Sequence, residues 1–468
     1  MSTPMHRDEG QGGRAGESTS RPAHQSAHEP RLEPASGQFA LLRQRRFGPF
    51  FWTQFAGAAN DNLYKFAFTV LVTYQLQVSW LPPVQAGLVI GALFILPFLL
   101  FSATSGQLCD RHEKSAMIRF VKNLEVLIML AAAWGFLAPN VPVLLLCIFL
   151  MGLHSTLFGP VKHAYLPVML HARELTGGNG MVQMGTFVAI LLGNMVGGLL
   201  MTLPASSPVA GAQAAALACV VVALLGRLAA ARVPPSPATD PGLRINWNPF
   251  SETWRNLQLA RRDAKVFHSL LGISWMWFFG AVFLSLFPVY AKEVLRGNEQ
   301  VASLLLVLFS IGVGLGALLC EVLERRAESV HRFLSPLGAV GMSLFAIELY
   351  FASRGLPPVE LMDLSTFLLQ PAHWRVMADL LLLSLFVGLY SVPMYVLIQR
   401  RSPPTHRARI IAANNILNAL YMVVSALLAG ALLGAGATIP QVFLCIGLAN
   451  AVVTFSVFLF VPDYWRGQ

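Results

Sequence analysis

Along this chain the apolar positions are scattered and unperiodic up to residue 46 and dominant afterwards. Twelve apolar spans are predicted, at roughly 49–76, 84–107, 118–138, 141–165, 180–203, 209–231, 267–291, 300–322, 334–353, 378–399, 410–434 and 438–462. At about 1.5 Å per helical residue, spans of this length cross a hydrocarbon core about 30 Å thick. The pattern therefore predicts an all-α membrane protein with twelve transmembrane helices. Residues 1–46 are rich in Ser, Gly, Pro, His and Glu and are read as a disordered cytoplasmic tail. The tail lacks the apolar run of a signal peptide, and His6, His24 and His28 in it read as solvated side chains.

The longest polar connection, 232–266, separates two six-helix halves, 47–231 and 267–468. It opens Pro-rich (VPPSPATDPG), and Trp247, Phe250, Trp254 and Leu257 then recur at helical spacing among basic residues. Such a helix can lie along the membrane surface or pack on the bundle, and the spacing fits both. The halves also echo each other. GLHSTLFGPVKHAYLP (152–167) and GLYSVPMYVLIQRR (388–401) share Gly-Leu, an aromatic or His before Ser, and a mid-helix proline, Pro160 or Pro393, with Asn179 or Asn414 and Asn415 about twenty residues later. A six-plus-six repeat of this kind is a transporter architecture.

Composition agrees: 55% of the 468 residues are hydrophobic and 12% charged, against about 25% charged in a soluble domain. The net charge of +10 is a matter of topology. One set of alternate connections collects Arg43, Arg45, Arg46, Arg111, Lys114, Arg119, Lys122, Lys162, Arg173, the run from Arg227 to Lys265, Arg325, Arg326, Arg332, Arg400, Arg401, Arg407, Arg409 and Arg466. The other set holds Lys292, Arg296, Arg354 and Arg375. By the positive-inside rule the basic side is cytoplasmic, which places both termini there and leaves nucleic acid no role. The five cysteines have no metal-ligand spacing, so neither a metal site nor a disulfide framework is expected.

The first span carries the most costly residues. On a helical wheel Gln54, Ala58, Asp61 and Lys65 share a stripe that Asn60 and Asn62 flank. Asp61 lies roughly 18 Å along the helix, near the middle of the core. A lone charge there costs at least about 2.5–3.5 kcal/mol, so the stripe must face protein or a wet cavity. An Asp61/Lys65 pair that locks packing meets this requirement. So does a stripe lining a translocation path, with Asp61 coupling an ion, sodium or proton, or gating, and Lys65 its partner or a headgroup contact.

After the second span, Gly106-Gln107-Leu108-Cys109-Asp110-Arg111-His112-Glu113-Lys114 resembles the signature loop of the major facilitator superfamily. Gly106 permits close helix contact, Asp110 can sit at the positive end of a neighbouring helix, and Arg111 and Lys114 can pair across the two halves, which makes these four a gate. The matching loop after span eight keeps Glu321, Arg325 and Arg326. Span eleven aligns Asn414, Asn418, Tyr421 and Ser425 on one face with Asn415 beside it, for interhelical hydrogen bonding or for substrate. Glu125 and Glu348 read as structural carboxylates.

Three longer segments narrow the resemblance: QFAGAANDNLYK (54–65), FGPVKHAYLP with ELTGGNGMVQMGTFVAILLG (158–193), and SWMWFFGAVF with FPVYAK (274–292). They are similar to the bacterial lysophospholipid transporter family, above all to the transporter half of proteins fused to acyltransferase and acyl-carrier-protein synthetase domains. The resemblance implies a major facilitator fold in the bacterial inner membrane. It also implies flipping of lysophosphatidylethanolamine-like lipids for reacylation, with no cofactor. Asn60, Asp61, Asn62 and Lys65 become its span-one site and Lys162 the basic residue after Phe-Gly-Pro, where Pro160 would break span four. His163 and Ala164 depart from the usual Tyr and Gly. No acyltransferase His-x-x-x-x-Asp pair and no phosphate loop occur, so the chain is read as a non-enzyme whose acyltransferase is a separate partner. Phe55, Phe68, Trp275, Trp277 and Phe278 are candidates for an apolar groove. The alternatives are a facilitator exporting another amphiphile or drug by proton antiport, and a membrane scaffold that recruits an acyltransferase through 232–266.

Overall fold

The structure, a computed structural model, describes residues 37–460 apart from 77, 82, 202–209, 327–330, 355 and 357–360. Its first half consists of α1 (Gly48–Val70), α2 (Pro83–Arg111), α3 (Lys114–Leu137), α4 (Val141–Met169), α5 (Leu175–Met201) and α6 (Ala210–Ala231). A short α7 (Pro249–Arg261) lies in the connection. The second half comprises α8 (Ala264–Val289), α9 (Glu299–Arg326), α10 (His331–Ala352), the short α11 (Leu364–Leu369), α12 (Pro371–Arg401), α13 (Arg407–Gly434) and α14 (Ile439–Phe460).

Eleven of these helices are long and apolar enough to cross a membrane. The long helix outside that set is α1, which carries the Asn60-Asp61-Asn62 run and Lys65 that interrupt its apolar character. Packing shelters that polarity: α5, α6, α4 and α2 contact α1, and Glu125 of α3 accepts from Asn60. Between the halves the main contacts are α2 with α13 and α5 with α9, supported by α4 with α13 and α5 with α12.

Each half carries a proline inside a long helix. Pro160 lies inside a continuous α4, so the break expected there does not form. A proline removes one helical N–H and frees the carbonyl four residues before it. Here that carbonyl, on Thr156, accepts from the Ser105 hydroxyl of α2 at 2.9 Å. In the second half Pro393 lies inside α12, and the Cys320 thiol of α9, nearest the Gly316 carbonyl of its own helix at 3.4 Å, also lies 3.9 Å from the freed Leu389 carbonyl.

Two expectations about polar segments change. The expected tail ends before residue 46: Gln38–Arg43 form a 3₁₀ turn with Gln38 and Leu41 buried. Arg46 makes a two-pronged pair with Glu174, 2.6 Å at each prong. The rest of that tail, 1–36, lies outside the described residues. In the connection, α7 packs on α13, α2 and α8 with a mixed face that also buries Leu259 and Ala260. Glu252 and Asn256 are buried, while Trp247, Phe250 and Trp254 stay exposed. The helix therefore packs on the bundle with one face and leaves an aromatic face exposed. Burial pushes the Glu252 carboxyl up, against the pull of Arg255 and Asn246.

Candidate transport site

The residues on α1 separate into two groups. Asn60 points into the first half, where its amide donates to Glu125 at 2.8 Å. The same carboxylate receives Lys122 at 2.5 Å and lies 3.2 Å from His154 Nε2. Lys122 and Glu125 are fully buried. Gly57 of α1 makes room for the ammonium, since a Cβ there would overlap Lys122 Nζ. Glu125 is thus the centre of a closed ionic cluster tying α1, α3 and α4, in keeping with a structural role. Lys122, assigned above to the basic loops, belongs inside α3 because its carboxylate partner is one turn away.

Asp61, next to Asn60, instead accepts from Ser155 of α4 at 2.6 Å, and its second oxygen has no hydrogen-bond partner. Lys65 lies over the Phe94 ring of α2 at 4.1 Å. Asp61 and Lys65 form no ion pair among the described residues, so the self-satisfied i, i+4 pair is not the arrangement adopted. Lys162, two turns from Ser155 on α4, is close enough to act electrostatically on Asp61. Gln54 accepts from Thr186, and Asn62 donates to the Ala58 carbonyl of its own helix.

Around the circumference of α1, Ala59 and Leu63 meet α5, Ala56 meets α6, Gly57 and Asn60 meet α3, Tyr64 and Asp61 meet α4, and Lys65 meets α2. Beyond these, Ala58, Asn62 and Thr69 form a partly exposed strip, and Trp52 and Phe66 are exposed on another side of the helix. The strip of Ala58, Asn62 and Thr69 lies between the contacts with α2 and α5, both of which also contact the second half.

Opposite, on α13, Asn418 accepts from Ser274 at 2.8 Å and Tyr421 packs edge-on against Phe278. Asn415 reaches across to Gly159 of α4. Buried Asn414 and the Trp277 Nε1 form no well-made hydrogen bond, although both lie beside the Tyr395 hydroxyl. Buried polar groups without partners are rare and point to water or a ligand. Of the aromatic candidates, Phe68 is fully buried and stacks on Tyr64, a core position instead of a groove wall. Phe278 stacks on Trp275, whose indole is fixed by Asn450 at 2.7 Å. Phe55 and Trp277 are partly exposed.

At the end bearing the basic loops the halves are sealed. Asp110 closes on the first turn of α13, accepting from the backbone N–H groups of Ala408 and Arg409 at 3.3 Å each and from the Arg409 guanidinium at 3.2 Å. Gly106 permits this approach, since a Cβ would collide with Arg409 and Ala412. Arg111 is exposed, and Lys114 is buried under the connection near the Pro237 carbonyl. The cross-half charge expected from those two residues is supplied by Arg409, because Lys114 starts α3 and faces the linker. Asn179 and Gln399 exchange amide hydrogen bonds, 2.7 and 3.0 Å. His163 stacks flat on Tyr395 with centroids 4.4 Å apart, which makes the departure at 163 part of the seal. Glu321 repeats the Asp110 role at the start of α5, its carboxylate against Gly177 and accepting from the Gln38 N–H.

Burial along α13 follows the seal. Residues 408–414 are all buried, whereas from 420 to 434 only Ser425 and Ala429 are. α13 is thus buried where it meets the seal and mostly exposed beyond it.

The family model of the Major Facilitator Superfamily matches residues 50–358. The chain belongs to this superfamily. Among curated superfamily relatives it is similar to the lysophospholipid transporter of Serratia proteamaculans, 24% identical over 74% of this chain and 78% of the relative. It is likewise similar to that of Escherichia fergusonii, 26% identical over 74% and 78%. Among solved structures the E. coli fucose:proton symporter matches with a TM-score of 0.67 at 14% identity, over 87% of this chain and 97% of its own, a likeness of fold. The chain is a multi-pass membrane transporter of the major facilitator type.

Proposed function

We propose that this transporter moves lysophospholipids with lysophosphatidylethanolamine-like headgroups across the bacterial inner membrane by alternating access, delivering them to a separate acyltransferase. One observation carries the reading: Asp61, with one carboxylate oxygen unpartnered, and Lys65 lie beside a partly exposed strip of α1, Ala58, Asn62 and Thr69, midway along a bundle sealed at one end. The names of the curated relatives support the substrate class. With the basic end cytoplasmic, as the positive-inside rule has it, this state opens away from the cytoplasm and receives substrate from the outer leaflet.

A zwitterionic headgroup fits the charges available. Its phosphate would meet Lys65 and Lys162, its ammonium Asp61, and the chamber amides Asn62, Asn414, Asn415 and Asn418 with Gln54 and Tyr421 would supply further polar contacts. The acyl chain would run along Phe55 and Trp277. Inward opening then requires the Asp110, Gln399 and Tyr395 contacts to break while the far ends close. Asp61, with one free oxygen, is the group through which sodium or a proton would couple. The test is uptake of headgroup-labelled lysophosphatidylethanolamine into proteoliposomes, with and without sodium and across pH. Uptake that needs the protein and is lost in Asp61→Asn supports the proposal. Transport of a different amphiphile on a proton gradient, with lysophospholipid left outside, would replace it with the exporter reading.

A further inference from the structure

The end opposite the basic loops is poor in cations, and two of its few basic residues are brought together. Arg375 there is committed to Glu348. Arg296 and Arg354 both line one cavity of about 490 Å³ between the ends of α8, α10 and α14, with Glu293, Tyr350, Thr438 and Gln441 also on its wall. Neither guanidinium forms an ion pair or a side-chain hydrogen bond among the described residues. Arg354 rests on the Tyr350 ring, 5.2 Å from its centroid.

Arg296 is held with care. Its φ of 54° is left-handed, a conformation unfavourable for a residue with a Cβ. Backbone bonds fix it there: Met362 N–H donates to the Arg296 carbonyl at 2.7 Å, and Asn298 N–H donates to the Met362 carbonyl at 3.0 Å. Strained backbone of this kind persists where the surroundings enforce it, and it clusters at ligand sites. Two like charges converging on one cavity call for an anion, and planar guanidinium forks suit phosphate oxygens. The Glu293 carboxylate on the same wall would repel a bare anion and attract an ammonium group beside it. The cavity size is that of a small-ligand site.

We propose that this cavity binds a zwitterionic headgroup, a phosphodiester carrying an ammonium group, with the phosphate on Arg296 and Arg354 and the ammonium on Glu293. The site lies at the far end of the second half, apart from the α1 chamber, and stands whether or not that chamber carries lysophospholipid. Its ligand chemistry is shared by a membrane lipid and by the soluble headgroup, which separate arms of the experiment distinguish.

Native mass spectrometry of the full chain in detergent would count bound lysophosphatidylethanolamine, with glycerophosphoethanolamine and inorganic phosphate as competitors. The expected result is that Arg296→Ala/Arg354→Ala removes one bound lipid and weakens its apparent affinity at least tenfold, leaving any chamber lipid in place. Arg354→Gln, on an exposed helix end where folding is not at risk, is expected to weaken it severalfold. Glu293→Gln should equalise lysophosphatidylethanolamine and lysophosphatidylglycerol at this site. Competition by glycerophosphoethanolamine as strong as by the lipid assigns the site to the soluble headgroup; weaker competition assigns it to the membrane lipid. Unchanged stoichiometry and affinity in Arg354→Gln and the double variant would overturn the proposal, as would inorganic phosphate competing as well as either headgroup.

Discussion

The Asp110 carboxylate of the first half and the Arg409 guanidinium of the second meet at 3.2 Å, both almost fully buried. Arg409 also reaches Asp240 of the connection at 3.4 Å, and the Asp110 carbonyl accepts the Thr239 and Asp240 N–H groups. A single buried arginine thus joins α2, α13 and the linker, so the linker takes part in the seal.

Removing one partner of a buried ion pair costs about 3–5 kcal/mol, enough to lower the population of the sealed state more than a hundredfold. Arg409→Ala and Asp110→Asn are therefore expected to open the basic end. Pulsed electron-spin distances between labels at the exposed positions 111 and 401 should lengthen in both variants. An unchanged distance distribution would show that the other cross-half contacts hold the seal alone.

The Glu125 cluster makes a prediction about stability. Lys122→Ala leaves the carboxylate buried with its main counter-charge gone, and it should lose about 3–5 kcal/mol. Lys122→Met with Glu125→Gln removes both charges and should recover most of that loss. Thermal unfolding midpoints in detergent provide the check; equal losses in the single and double variants would contradict the assignment.

Ser105 and Pro160 are expected to be coupled. With Pro160 present, Ser105→Ala strands the Thr156 carbonyl at a cost of about 1–3 kcal/mol. In a Pro160→Ala background the helix satisfies that carbonyl itself, so the same change should cost little. A double-mutant cycle on unfolding midpoints measures the difference. Additive effects would mean that Ser105 does not substitute for the missing N–H.

Glu113 clasps the linker at the turn between α2 and α3. Burial pushes its carboxyl up, but hydrogen bonds from Ser115 and the Ser236 N–H, with Arg119 nearby, outweigh this and hold it below the ordinary carboxylate value. A lowered folded-state pKa stabilises above the unfolded value, near 4.3, and that stability is lost as pH falls through the folded value. Amide protection at Ser236 should therefore decline as the medium is taken below about pH 4. Glu113→Gln should show weak protection at every pH.

Much of this architecture was legible in the chain. The span pattern located the long helices because lipid demands continuous apolarity, and Asp110 announced its place at a helix start through its spacing from Gly106. The ionic cluster was not legible. Lys122 stands near the start of a span and reads as a loop cation, although its i, i+3 spacing to Glu125 was the available signal. His154 gives no sign of its partner, which lies on another helix. Arg409 counted only towards topology, because the residue it joins is far away in sequence. Pro160 reads as a break because the hydroxyl that mends it comes from α2.

The central claim is that the α1 charges face a water-filled space between the halves that opens away from the basic end. In a background lacking the five native cysteines, Asn62→Cys and Thr69→Cys would be exposed to a membrane-impermeant maleimide from each side of oriented vesicles. The account predicts labelling from the side opposite the basic loops, slowed by lysophosphatidylethanolamine. Cysteines unreactive from both sides, or reactive only from the basic side, would contradict it.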